Sequence, residues 1–143
     1  MRADFYVLAQ PAPEERLRLA CRVAEKAYLA GQSALVWHRD RAELERFDAL
    51  LWTFSGSSFV PHEWLDGADE APVRLSCGEA PGGAIGVLIN LDTAPEPPPW
   101  AGQAERIAEI IDGEPARREA GRARFRIYRG LGYELQTHNM SAP

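Results

Sequence analysis

Residues 116–129, ARREAGRARFRIYR, hold six arginines and one glutamate. A guanidinium is a planar fork that donates two parallel hydrogen bonds to a carboxylate or phosphate, so the stretch is suited to gripping an anion. Its charge is local. The stretch carries +5, and the rest of the chain, at −5 overall, carries −10. Proteins that hold nucleic acid by counterion release spread positive charge over a whole face, which points here to a small, discrete anionic ligand.

On a helical wheel advancing about 100° per residue, Arg118, Arg129, Arg122 and Arg126 fall within about 80° of arc, with Phe125 about 20° to one side. Ala116, Ala120, Ala123 and Ile127 fall on another side, and the wheel predicts that they pack on the rest of the fold. An aromatic ring standing among outward-facing arginines offers a wall for an apolar group beside forks for a carboxylate. The ligand that satisfies both is a peptide end carrying a carboxylate next to an apolar side chain. One charge-assisted pair contributes ~1.5–3 kcal/mol and one buried phenylalanine a similar ~1.5–3 kcal/mol. After ordering costs this predicts affinity of about micromolar or weaker. Arginine with an aromatic also describes a platform for stacking single-stranded nucleic acid, the alternative reading, which the −10 elsewhere disfavours.

The elements that position this segment alternate. ADFYVL (3–8) and SALVWH (33–38) read as strands. Between them Leu17, Ala20, Cys21, Ala24, Ala27 and Tyr28 recur at helical spacing, with Gly31 where a helix would close. Asp40 heads a second helix, with Glu43 three residues on and a stripe of Leu44, Phe47 and Leu51. PVRLSC (72–77) and the nearly all-apolar AIGVLINL (84–91) read as further strands, the latter as the sheet centre. After the proline-stiffened APEPPPWAG (94–102), QAERIAEIID reads as a helix ending near Asp112-Gly113. The arginine segment reads as the last helix and GYELQTH (132–138) as a final extended piece. This order predicts a single α/β domain over 1–143, three-layered and Rossmann-like, with a mainly parallel sheet.

Folds of this class often hold nucleotides, but the motifs are missing. AQPAPEE stands where GxGxxG would follow the first strand, and GxxxxGK[ST] occurs nowhere. PGGAIG (81–86) precedes a strand and reads as a tight turn. Cys21 and Cys77 match no CxxC spacing and accompany only His38, His62 and His138, so they are expected to be reduced core residues and no metal or cofactor is expected. No apolar run approaches a membrane span and the start lacks a secretory signal, so a cytoplasmic location with no membrane contact is expected. No nucleophile with a local base, and no carboxylate pair, marks a catalytic site.

Two stretches, LWTFSGSSFVPH (51–62) and GRARFRIYRGLGYELQTH (121–138), with the opening ADFYVL, carry a resemblance spanning nearly the whole chain. The sequence resembles the chi subunit family of the bacterial DNA polymerase III holoenzyme. The resemblance implies a non-enzymatic accessory subunit of the clamp-loader complex. It would bridge the acidic, phenylalanine-ended C-terminal tail of single-stranded-DNA-binding protein to the psi subunit, with little direct nucleic-acid binding. By that likeness the tail site falls on Arg122 and Phe125, with Arg118, Arg126 and Ile111 around it. The psi interface falls on Trp52 and Phe59, with Pro61 and His62 shaping the turn. Trp52, Phe54, Phe59 and Trp64 lie within thirteen residues, a density of rings that suits an apolar partner surface.

Overall fold

A computed structural model describes residues 1–56, 59–65, 71–78 and 82–140. Seven strands form one wholly parallel sheet: β1 (Arg2–Leu8), β2 (Ala34–Trp37), β3 (His62–Trp64), β4 (Val73–Ser76), β5 (Ile85–Asn90), β6 (Ala104–Ile111) and β7 (Glu134–Met140). Their order across the sheet is β3-β4-β2-β5-β6-β1-β7. Three helices connect them: α1 (Pro13–Leu29), α2 (Arg41–Leu51) and α3 (Pro115–Gly130). The expected three-layer α/β domain is therefore present.

Side chains alternate across the strands, and β1 displays the division most simply. Tyr6 and Leu8 belong to a core shared with Leu17, Ala20 and Ala24 of α1 and Leu44 and Phe47 of α2, whereas Ala3 and Phe5 meet Tyr128 of α3 on the opposite face. On that second face the proline-rich connection continues the cover, with Trp100 edge-on to Trp37 at 5.2 Å. The predicted centre holds. Ile85, Val87, Leu88 and Ile89 of β5 are all buried.

The helix boundaries follow local chemistry. Asp40 accepts from the Ala42 amide at 3.0 Å and starts α2. Gly31, at φ +74°, takes the left-handed conformation just past α1 that favours glycine. Of the PGGAIG turn, Pro81 lies outside the described residues, while Gly82 and Gly83 form a bend leading into β5. Cys21 is buried, and burial pushes its thiol up to about 12. Cys77 is only half-buried at the rim of the same core.

Residues 103–112 contradict the helix expected there, because 104–111 form strand β6, between β5 and β1. The sequence shows Ala104, Ile107, Ala108 and Ile111 at helical spacing with charges between them. Two of those charges are bound within the sheet layers instead, while Glu105 is exposed. Glu109 is fully buried, and Arg106 donates to Asp4 at 3.0 Å and to Tyr6 Oη at 3.1 Å. A strand with both faces covered can hold charged residues when each has a partner.

The sheet also explains why the nucleotide motifs are missing. After β1 and β6 the chain departs to opposite faces, the crevice where such folds bind ligands. Here Asp112 fills it. Its carboxylate accepts from the amide of Ala12, at the start of α1, at 2.8 Å, from Glu114 N at 3.2 Å, and from Arg117 through two bonds of 2.7 Å. The positive end of α1 is thus occupied by the chain's own anion.

Burial alone would raise the Asp112 pKa, but Arg117 and the two amides outweigh it and hold the carboxyl down at about 2. A depressed carboxyl stabilises the fold fully above its ordinary value of 3.8 and loses that contribution as pH falls through about 2. Asp112→Asn should therefore cost about 2 kcal/mol at pH 7. Urea unfolding of both proteins should give a difference that shrinks between about pH 4 and pH 2. A constant difference across that range would exclude this role.

Candidate functional site

Helix α3 starts where Glu114 accepts from the amides of Ala116 (3.1 Å) and Arg117 (2.8 Å), with Pro115 in the first turn. It ends before Gly132, whose φ of +83° turns the chain into β7. Its buried residues are Ala120, Gly121, Arg124 and Tyr128. The apolar face expected from the wheel is only partly correct. Ala120 is buried, but Ala116 and Ile127 are exposed and Ala123 is half-buried. The helix is rotated because its inner face is built from polar side chains meeting buried acids, which a count of apolar residues misses.

Those contacts divide the six arginines. Arg117 is held by Asp112. Arg124 donates through Nε to Glu109 at 3.0 Å, and Tyr128 Oη (2.7 Å) and Asn90 Nδ2 (2.9 Å) donate to the same carboxylate. The Tyr128 hydroxyl pKa is driven up by burial and by the Glu109 charge, so the phenol remains a donor. Arg118, Arg122, Arg126 and Arg129 are left on the outer flank.

Beside that flank runs a groove of about 350 Å³. Phe5 and Val7 of β1, Ile111 of β6 and Thr137 of β7 line it from the sheet side, and Gly121 and Phe125 line it from α3 together with these four arginines. Phe125 is half-buried and packs edge-on against Phe5 at 5.2 Å, with the Arg129 guanidinium 5.9 Å from its ring centre. It is one wall of the groove, anchored at its base and open on its other side. Gly121 permits the close approach of α3, since a Cβ there would overlap Ile111 Cδ1.

The groove mouth is positive. Arg122 has an exposed partner, Glu119, at 3.6 Å, a pair worth only ~0–1 kcal/mol and readily exchanged for a ligand carboxylate. Arg126 and Arg129 have no acid within 4 Å among the described residues. An apolar floor beneath unneutralised forks can take a carboxylate and an adjoining hydrophobic side chain together.

The second candidate surface lies at the C-terminus of α2. Trp52 and Phe59 are 53% and 65% exposed and tilt together at 5.9 Å. His62 lies under Trp52 at 4.4 Å, its Nε2 2.7 Å from Asp48 Oδ1 and its Nδ1 2.7 Å from Val60 O. These bonds fix the segment that carries the half-buried Pro61 into β3. The other two rings are packed. Phe54 lies against the core, and Trp64 lies under the Arg41 guanidinium at 4.0 Å.

The family model described as DNA polymerase III chi subunit, HolC, matches residues 1–136. The chain belongs to the DNA polymerase III chi subunit family. It is similar to the DNA polymerase III subunit chi of Pseudomonas aeruginosa, at 42% identity over 139 residues, covering 97% of this chain and 96% of that protein. It is also similar to the subunit of the same name from Haemophilus influenzae, at 25% identity over 141 residues, covering 96% of each.

Within this accessory replication subunit the five residues assigned to the tail site, Arg118, Arg122, Phe125, Arg126 and Ile111, all line one groove. Trp52 and Phe59 stand on another surface, with the His62 side chain, only 1% exposed, packed beneath Trp52 and the half-buried Pro61 next to it in the chain. Sequence reasoning left Phe5, Val7, Gly121 and Thr137 out of the groove. The β1 alternation that aims Ala3 and Phe5 at α3 would have supplied the first two. Gly121 and Thr137 gave no signal, because their place depends on how closely α3 settles on the sheet. Among the described residues no helix is long and apolar enough to cross a membrane, and no cluster of three potential metal ligands occurs.

Proposed function

We propose that this chain is a non-enzymatic adaptor of the replicative clamp-loader complex, working in the cytoplasm. The α3 groove holds the acidic, phenylalanine-ended tail of single-stranded-DNA-binding protein, and the Trp52–Phe59 surface holds the psi subunit. The observation that carries this reading is the pairing of an apolar floor of Phe5, Val7 and Ile111 with four arginines at one mouth. A terminal phenylalanine supplies a ring for the floor and a carboxylate for the forks, and the acidic residues before it meet the remaining guanidinium charge. Direct stacking of nucleic-acid bases fits less well, because the chain outside residues 116–129 carries −10 and would repel a polyphosphate.

The two surfaces separate in one experiment. Tagged protein should recover both single-stranded-DNA-binding protein and clamp-loader subunits from native lysate. Arg122→Ala should lose the former and keep the latter, its tail affinity falling ~10–100-fold with one charge-assisted contact. Trp52→Ala should do the reverse. Loss of both partners in either variant, or of neither, would refute the assignment.

A further inference from the structure

Strand β7 closes the sheet, pairing with β1 on one side and, among the described residues, with no strand on the other. Glu134 donates its amide to Met1 O at 2.9 Å. In a parallel ladder the residues that bond one neighbour alternate with those that face away, so Leu135, Thr137 and Asn139 turn their N–H and C=O groups outward. Exposed edges of this kind usually carry a proline, a lysine or a bulge that blocks pairing. The described part of β7, ELQTHNM, has neither residue, and its register with β1 runs unbroken through all seven positions.

The charge around this edge is positive on both faces of the sheet. On the α3 face stand Arg126 and Arg129, and the groove reaches β7 at Thr137. On the other face Arg2 reaches Asp4 and Gln136, Arg106 reaches Asp4 and Tyr6, and His138 lies 3.1 Å from Asp4. A small cleft continues this face with Arg22 and Lys26 beside Tyr6 and Met140. The acids among and beside these cations are Asp4, which is buried, Glu25 between Arg22 and Lys26, Glu105 next to Arg106 and Glu134 at the start of the strand, so that six arginine and lysine side chains stand with four carboxylates. Pairing β7 with the β7 of a second copy would bring two such positive rims together. An extended acidic peptide would meet them with opposite charge.

We propose that the acidic residues just before the terminal phenylalanine of the tail add to β7 as an eighth strand. This rests on the reading that the phenylalanine itself occupies the groove. The peptide backbone bonds to Leu135, Thr137 and Asn139, and successive carboxylates point alternately to the Arg126–Arg129 side and to the Arg2–Arg106 side.

Amide exchange of the wild-type protein with and without an acidic, phenylalanine-ended peptide tests this at residue level. Binding should slow Leu135, Thr137 and Asn139, leaving Glu134, Gln136 and His138, already bonded to β1, unchanged. N-methylating the peptide at alternate amides should weaken binding ~10-fold or more for one alternating set and less than ~2-fold for the other, since each lost bond is worth about a factor of ten or less. Asn139→Pro, which removes an outward donor at a position where an edge strand tolerates proline, should weaken the peptide ~3–10-fold. If the peptide binds yet these amides do not slow, or both methylated sets bind alike, strand addition is excluded and the groove reading stands. If the wild type does not bind the peptide, both fall. If the amides are protected without peptide in a concentration-dependent manner, β7 pairs with itself and the proposal is wrong.

Discussion

Arg124→Ala should destabilise the protein by ~3–5 kcal/mol, the cost of leaving a buried charge without its partner. Arg124 and Glu109 are both buried at 3.0 Å, with side chains 3% and 0% exposed, so no solvent screens the carboxylate once the guanidinium is gone. Asn90 and Tyr128 would still donate to Glu109, but neither carries a charge. Arg124 also donates to Ala94 O, which ties the proline-rich connection to α3. A domain of this size is stabilised by only ~5–15 kcal/mol in total, so the melting temperature should fall on the order of 10 °C. Replacing both members, as in Glu109→Gln with Arg124→Met, should cost less than Arg124→Ala alone, because no unpaired charge is left behind and the glutamine carbonyl still accepts from Tyr128 or Asn90. A double variant weaker than the single one in thermal or urea unfolding would show that the pair itself, and not the stranded charge, carries the energy.

Phe125→Ala should have the largest effect on the groove. The ring forms one wall and rests on Phe5, so its loss removes apolar contact with the ligand and loosens the floor together. Affinity for a phenylalanine-ended acidic peptide should fall ~10–150-fold, from ~1.5–3 kcal/mol of lost burial and aromatic contact. For the same peptide without its terminal phenylalanine, which cannot use that wall, affinity should change less than ~2-fold, within about 0.4 kcal/mol. Equal losses for both peptides would mean that Phe125 holds α3 in place and does not touch the ligand. Phe125 is half-buried and Tyr128, next along the buried face, keeps its bond to Glu109, so the fold should survive the change.

The parts of this fold that were legible in the sequence are those whose buried faces are apolar throughout. Leu44, Phe47 and Leu51 in α2, and the β-rich runs of β1, β2 and β5, each bury apolar side chains against apolar neighbours. Strand β6 was not legible because Glu109 and Arg106 break its apolar run, and what makes them tolerable, Arg124, Tyr128, Asn90 and Asp4, lies fifteen to a hundred residues away. The orientation of α3 was hidden for the same reason. Arg117 and Arg124 look identical to the other four arginines until Asp112 and Glu109 are seen beneath them. The cationic stripe itself was legible, since Arg118, Arg122, Arg126 and Arg129 need only the helical period to share a flank. Of the four rings at 52–64, composition indicated a surface but could not separate Trp52 and Phe59 from the packed Phe54 and Trp64.

The account depends on one groove binding a ring and a charge at the same time. Calorimetric titration of the wild-type protein with an acidic peptide ending in phenylalanine, beside the same peptide lacking that residue, measures this directly. The full peptide should bind at about micromolar strength or somewhat weaker, and the truncated one at least ~10-fold more weakly. Equal affinities would show that the arginines act as a charged surface alone, with no apolar pocket beneath them.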